Sequence, residues 1–432
     1  MKIALLLPGG DIYRYRKGTF KKALRYAPLT LTTLAALVPP EIEAEIEIYD
    51  EGVEEIPEDI DADIVGISII TGTSIRAYRI ADRLREKGIT VVLGGVHPTL
   101  MPHEASQHAD AVVVGFGELT WPQVLRDFVT GKLKKIYVAR ASTEIKHVPV
   151  PRRDLLKKEK YATINTVQVT RGCPHHCKFC VVPVAWGRRT YYRPVREVIE
   201  EIEKLEGKEV VFLDPNPIGD REYAKKFFRE LIPLKKLWLG LATTEVTDDP
   251  EVFSLMVKSG CRGLLIGFES VSQLSLNEAC KEFSVVGRYG EIMKKLHDQG
   301  IGVMGTFVLG FDTDTPDVFE RTLEFVNRIH IDLPRYSVYT PFPGTPAYKE
   351  LEREGRILTR DWSLYDGQHV VFRPKNMSPE KLQEGLLWLW KHSYGVPSIW
   401  KRLSGSRTLL SLSLPLNIAY RIYATNLPKY VR

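Results

Sequence analysis

Cys173, Cys177 and Cys180 are the residues of this chain whose type and spacing point most directly to chemistry. Three residues separate the first pair and two separate the second. Thiolates are the ligands that iron–sulfur clusters take, and three of them can hold three irons of a [4Fe–4S] cluster. The fourth iron then keeps an open position where a small molecule can bind and react. A structural zinc site is the other reading of the same loop. It needs four closed ligands, with His175 or His176 as the fourth, but no second cysteine knuckle follows. A disulfide is disfavoured by the odd total of five cysteines and the lack of a secretory leader. Cys261 and Cys280 read as small buried hydrophobes.

A loop of this kind has to be held by a rigid scaffold, and 432 residues at 44% hydrophobic can fill two or three domain cores. The 60 basic and 54 acidic residues leave a net charge of +6, too mild to argue for nucleic acid. That balance is compatible with loose attraction to anionic lipid or an acidic substrate. No apolar run reaches the ~18 residues of a membrane span. Sparse cysteines and an oxygen-sensitive cluster fit a reducing, cytoplasmic setting.

Residues 1–140 alternate strand-like and helix-like segments, the pattern of a doubly wound α/β sheet. Strands are expected over 2–7, 45–49, 63–70, 90–93 and 111–114. Helices are expected over 29–38, 75–87, 104–108 and 119–129. Small or polar residues close these strands, among them Ser68, Thr71, Gly94, Gly95, His97, Gly115, Gly117 and Glu118. Open parallel sheets bind ligands at that edge, and glycine lets a backbone approach a large flat ligand closely.

The proline-bearing, charged stretch 141–162 reads as a linker. Residues 163–355 then repeat strand and helix six times, as in an open, partial (β/α)6 TIM barrel with its chemistry at the strands' carboxyl ends. The strand ends carry the cysteine loop, Asp214 and Asn216, Thr244 and Glu245, Glu269 and Ser270, and Gly310. The last barrel strand is expected over 336–340. Residues 356–432 form a small, mostly helical C-terminal cap region. In it a helix from Pro379 to about His392 carries Leu382, Leu386, Leu389 and Trp390 on one face. Trp388, Trp390 and Tyr394 either pack over the barrel or line a substrate cap. In the tail from Trp400 to Tyr423, Leu-Ser alternation and Pro415 argue against a clean amphipathic helix.

The cysteine spacing, Phe179 before the third cysteine and the Thr170-Arg171-Gly172 lead-in resemble the radical S-adenosylmethionine (radical SAM) enzymes. The Val91–Thr99 segment with Gly94-Gly95, placed ahead of that loop, is similar to the cobalamin-binding domain of one subclass of that family. The resemblance implies a Rossmann-like cobalamin domain followed by the radical SAM barrel. It also implies three cofactors: a [4Fe–4S] cluster, SAM and cobalamin. SAM would chelate the open iron and yield a 5′-deoxyadenosyl radical. By the same resemblance, the SAM contacts would be Asp214 and Asn216 at the amino group, with Thr244, Glu245, Glu269 and Ser270 at the ribose and carboxylate. Adenine would meet the backbone at Gly305 and Gly310 and the ring of Phe179. Ser68, Thr71, Gly94, Gly95, His97, Gly115, Gly117 and Glu118 would meet the corrin. Two departures stand out: no Asp-x-His-x-x-Gly string surrounds His97, and Phe116 occupies a place where relatives carry an acid.

The function implied is a cobalamin-dependent radical SAM methyltransferase acting on an unactivated carbon. A cyclase or rearrangement enzyme with the same cofactors is the alternative, and a non-catalytic cobalamin or iron–sulfur sensor a more distant one. Expected partners are a small-molecule or lipid-like substrate and a ferredoxin or flavodoxin as electron donor. No nucleic acid and no transmembrane segment are expected; peripheral membrane contact stays open.

Overall fold

The computed structural model describes residues 1–10, 25–139, 145–406 and 410–431. Its first unit is a six-stranded parallel sheet of β1 (Lys2–Leu7), β2 (Glu45–Asp50), β3 (Ile64–Ser68), β4 (Thr90–Gly94), β5 (Ala111–Val114) and β6 (Ile136–Val138). The order is β2-β1-β3-β4-β5-β6, so the winding direction reverses between β1 and β3. Helices α1 (Leu29–Ala36), α2 (Ser74–Glu86), α3 (Val96–Leu100), α4 (Pro102–Ala105) and α5 (Gly117–Val129) flank it. The alternation of β1 divides the core in two. Ala4 and Leu6 pack with α2, while Ile3 and Leu5 pack with α1 and α5. Both faces are apolar because both are covered.

The second unit is a six-stranded parallel sheet ordered β14-β13-β12-β11-β10-β7. Its strands are β7 (Thr166–Val167), β10 (Glu209–Phe212), β11 (Leu237–Ala242), β12 (Cys261–Glu269), β13 (Gly302–Leu309) and β14 (Leu333–Val338). Between β7 and β10 an antiparallel hairpin, β8 (Thr170–Gly172) with β9 (Thr190–Tyr192), encloses the cysteine loop and α6 (Val182–Trp186). The remaining barrel helices are α7 (Val195–Glu203), α8 (Arg221–Leu231), α9 (Pro250–Lys258), α10 (Gln273–Glu278), α11 (Tyr289–Asp298), α12 (Val318–Arg328) and α13 (Pro346–Arg353). Then come α14 (Pro379–Ser393), α15 (Val396–Leu403) and α16 (Leu410–Asn426).

The two-unit α/β architecture agrees with the sequence reading, and five details correct it. A sixth strand, β6, extends the first sheet at its edge. In place of a helix over 104–108, the chain turns through α3 and α4. The final barrel strand begins at Leu333, earlier than expected, which brings Arg335 into it. Arg153, in the expected linker, is buried and ion-paired with Glu201 of α7. The tail forms the 17-residue helix α16, which runs through Pro415. Trp390 and Tyr394 take the packing alternative: their rings meet Tyr336 and Tyr420, and the Tyr394 hydroxyl donates to the Pro334 carbonyl at 2.8 Å.

Candidate active site

The cysteine loop begins at Gly172, whose φ is +79° and whose added Cβ would lie 2.4 Å from the Arg189 carbonyl oxygen. Only glycine fits there. The loop is then stitched to the barrel. The Lys178 N–H donates to Ala279 O at 3.0 Å, the Ala347 N–H donates to Lys178 O at 3.2 Å, and the Cys180 N–H donates to Cys177 O at 3.1 Å. Burial pushes the Cys177 thiol up to about 12 and that of Cys180 to about 11, while the ammonium of Lys281 pulls both the other way. Among the described residues, no three His, Cys, Asp or Glu side chains converge as the ligands of one ion do. A cluster asks for something else, because each thiolate takes its own iron. His175, a candidate fourth zinc ligand, is paired instead with Glu245 at 2.9 Å.

Asn216 lies beside this loop. Its Nδ2 is 3.8 Å from Cys173 Sγ, and its Oδ1 is buried without a hydrogen-bond partner. A buried acceptor in that condition suits a bound donor, so the site fits a ligand carrying an ammonium group. Asp214 does not share the role expected of it. Its buried carboxylate accepts the N–H groups of Val169 and Thr170 and, at 2.7 Å, the Thr170 hydroxyl. It anchors the backbone that feeds into the loop.

The other strand ends divide. Glu269 reaches the cavity described below, with φ at +63° and its carboxylate 2.7 Å from Lys281 Nζ. Phe179 also lines that cavity and stands edge-on to Phe311 and Tyr339. The pairing with His175 holds Glu245 below the usual carboxylate range. Thr244 and Ser270 are turned inward. Thr244 Oγ1 is 2.8 Å from Ser284 Oγ, and Ser270 Oγ accepts the Ser272 N–H. Gly305 lies on the helix side of the sheet, where a Cβ would meet Ile331 and Phe268 at 3.1 Å. The Gly310 N–H is taken by Asp314 at 2.9 Å.

At the carboxyl edge of the first sheet lies a cavity of about 360 Å³. Ser68, Gly94, Gly95, Gly115, Gly117 and Glu118 line it from one side, Gln168, Arg171 and Pro215 from the barrel. Gly95 has φ +103°, and an added Cβ would fall 2.7 Å from the Ile69 carbonyl oxygen. Such a glycine-lined cradle between two units suits a large flat cofactor. Glu118 closes it by a bidentate ion pair with Arg171, 2.9 Å at Nη1. Phe116, the departure noted in the sequence, is buried edge-on against Tyr191, with the Arg171 guanidinium 5.5 Å from its ring centroid. The interdomain contact at this position is aromatic.

His97 does not reach the cradle, and Thr71 lines the second cavity described below. His97 is fully buried, with Nε2 3.1 Å from Glu104 Oε1 and Nδ1 3.3 Å from Thr71 Oγ1. Tyr78 and the Trp362 indole also donate to Glu104. This polar hub ties the first unit to the C-terminal region. Burial would raise the Glu104 carboxyl, but its hydrogen bonds to His97, Trp362 and Tyr78 hold it low.

A second cavity, about 550 Å³, lies between the β3–α2 turn and the barrel. Phe179, Glu269, Thr306, Val308, Arg335 and Tyr365 are among its walls. Ile70 and Val96 line both cavities. The sequence reading missed Arg335, Lys281 and this shared wall, and it noted Arg171 only as part of the cysteine-loop lead-in. Arg335 lies in β14 in register with Thr306 of β13.

Two family models match, the radical SAM superfamily over residues 167–326 and the B12 binding domain over residues 20–125. Bacteriochlorophyllide d C-12(1)-methyltransferase of Chlorobaculum tepidum is 33% identical over 88% of this chain and 85% of its own length. Bacteriochlorophyllide d C-8(2)-methyltransferase of the same organism is 30% identical over 91% of each. The radical SAM methyltransferase TsrM from Kitasatospora setae, solved with cobalamin and a [4Fe-4S] cluster, shares the fold. Its TM-score is 0.72 at 16% identity, with 99% of this chain and 98% of that one covered.

Proposed function

The chain belongs to the cobalamin-dependent radical SAM methyltransferases, and on that premise we propose that it methylates an unactivated carbon of a carboxylate-bearing tetrapyrrole. The observation that carries this reading is the wall of Ile70 and Val96 common to the two cavities. When bound, the cluster with SAM supplies a hydrogen-abstracting radical, and cobalamin supplies the methyl group. A substrate in the larger cavity has Phe179 of the cysteine loop on one side and the glycine-lined cradle on the other. Holding reactants at such a junction removes much of the entropic barrier to their meeting.

The chain's own residues divide the work. Cys173, Cys177 and Cys180 hold the cluster, and Asn216 gives its orphan acceptor to the SAM ammonium. Glu269 and Phe179 complete the SAM side, with Lys281 steadying Glu269. Ser68, Gly94, Gly95, Gly115 and Gly117 receive the corrin, and Glu118 acts by fixing Arg171. For the substrate, Val308, Val338, Phe342 and Tyr365 provide apolar walls for a flat ring. Arg335 provides a planar cation suited to a carboxylate. The tetrapyrrole class is supported by the two bacteriochlorophyllide methyltransferases. Electrons would come from a donor of the ferredoxin or flavodoxin type.

The test is turnover without oxygen, with SAM, a reductant and a bacteriochlorophyllide. The expected product is one methyl heavier and accompanied by both 5′-deoxyadenosine and S-adenosylhomocysteine. Deoxyadenosine without S-adenosylhomocysteine would sink methyl transfer. Methylation of a neutral lipid but of no tetrapyrrole would sink the substrate class.

A further inference from the structure

Helix α16 buries two polar residues, Ser413 and Asn417, beside Ala424, and Asn417 is 0% exposed. Asn417 Nδ2 donates to the Asp332 carbonyl at 3.1 Å, and its Oδ1 accepts from Arg402 at 2.8 Å. Leu410, Leu414, Ile418 and Ile422 recur every fourth residue, so they form one ridge along the helix. They are between 39% and 56% exposed. On the adjoining α15, Val396 and Trp400 sit one turn apart and are 64% and 72% exposed. Isolated exposed apolar residues are ordinary, but a continuous apolar ridge along a helix marks a surface meant for something other than water.

The charge of the region says what that is. Of the chain's 60 basic residues, seven fall within 385–432, where no acid occurs, and the other 53 face all 54 acids. The net positive charge of the protein therefore resides in its last 48 residues. Lys391, Lys401, Arg421 and Lys429 are exposed there. A second copy of this face would bring like charges together. An anionic surface with an apolar layer beneath it satisfies both the cations and the ridge. Among the described residues no helix is long and apolar enough to cross a membrane, so the contact would lie in the interfacial plane. Aromatic Trp400 and basic neighbours beside aliphatic side chains suit that depth.

We propose that α15 and α16 dock this protein on an anionic lipid bilayer. The geometry leaves the active site free. Asn417 holds Asp332, just before β14, and the Tyr420 hydroxyl is 4.0 Å from Met304 Sδ near the start of β13. The helix therefore crosses the amino-terminal ends of these strands, opposite the cysteine loop. This inference does not depend on the substrate proposed above.

The experiment is co-sedimentation of the full chain with vesicles of phosphatidylcholine, with or without phosphatidylglycerol. Binding is expected on the phosphatidylglycerol vesicles and should weaken with added salt. The doubly substituted variant Leu414→Glu with Ile418→Glu should lose about tenfold or more in binding. Both positions are exposed, so its circular dichroism and melting temperature should match those of the parent. Failure of the parent to sediment with phosphatidylglycerol vesicles would overturn the proposal. So would equal binding by the variant, or a concentration-dependent dimer that the variant abolishes while vesicles capture nothing.

Discussion

Glu118, at the start of α5, grips Arg171 of the cysteine-loop lead-in through its two terminal guanidinium nitrogens, so the two cofactor-bearing units are joined two residues before Cys173. Gln168 adds a third acceptor to the same guanidinium, 2.9 Å from Nε. Breaking one partner leaves the other half-buried and uncompensated. Glu118→Gln and Arg171→Met should each reduce cobalamin retention about tenfold. The double variant should be little worse than the weaker single, a coupling of about 0.5–3 kcal/mol. Corrin absorbance after desalting reads this, with iron content as the control. Additive losses would show that the pair does not act as a unit.

Gly95→Ala should abolish corrin retention, because the new Cβ meets backbone and cannot be relieved by a side-chain shift. A cost of about 2 kcal/mol or more is expected. Gly88 has φ +81° but open space around it, so Gly88→Ala isolates the conformational part. Its effect should be confined to a modest fall in melting temperature. Equal cofactor retention by both variants would refute the cradle.

Arg335→Gln should raise KM for a carboxylate substrate at least tenfold with little change in kcat, since a missing cation weakens ground-state and transition-state binding alike. A methyl ester of the same substrate should respond weakly to the substitution. If acid and ester lose equally, Arg335 has a packing role only.

His97→Gln should leave the electron paramagnetic resonance spectrum of bound cob(II)alamin unchanged. The buried imidazole is held by Glu104 and Thr71. Stability should fall by about 1–3 kcal/mol, the cost of disturbing a buried hydrogen-bonded group. Loss of a nitrogen signature from the cobalt would make His97 a ligand after all.

Asp314 caps the turn after β13, accepting the N–H groups of Gly310 and Phe311 and the Ser275 hydroxyl. Burial pushes its carboxyl up to about 6, against those hydrogen bonds and with help from Glu278. An acid raised in the folded state binds its proton more tightly there than when unfolded. Its contribution therefore favours folding at low pH and is lost as pH rises from the unfolded value toward 6. Asp314→Asn should flatten this part of the profile of melting temperature against pH. An unchanged slope between pH 4 and 7 would count against it.

The fold was legible in the sequence because its signals are local. The apolar run of Lys2–Leu7 and the strand–helix alternation needed no tertiary information, and the cysteine spacing gave the cluster loop. What was missed depends on contacts distant in sequence. His97 stood among the expected corrin contacts, but α3 forms around it and Trp362 closes over Glu104 from 258 residues away. Asp214 sits at a strand end as expected, yet its direction was set by bare N–H groups at Val169 and Thr170. Local propensity misled at α16, where polar residues face inward because Arg402 and Asp332 wait there as partners.

Ile70 and Val96 make the two cavities thermodynamic neighbours. Any occupant of one that moves these side chains changes the affinity of the other, and linkage requires the reverse effect to be equal in size. A corrin that tightens substrate binding must itself be held more firmly once substrate is present, whichever arrives first. The two side chains are thus the place where substrate range could be altered at the expense of cofactor retention, or the converse.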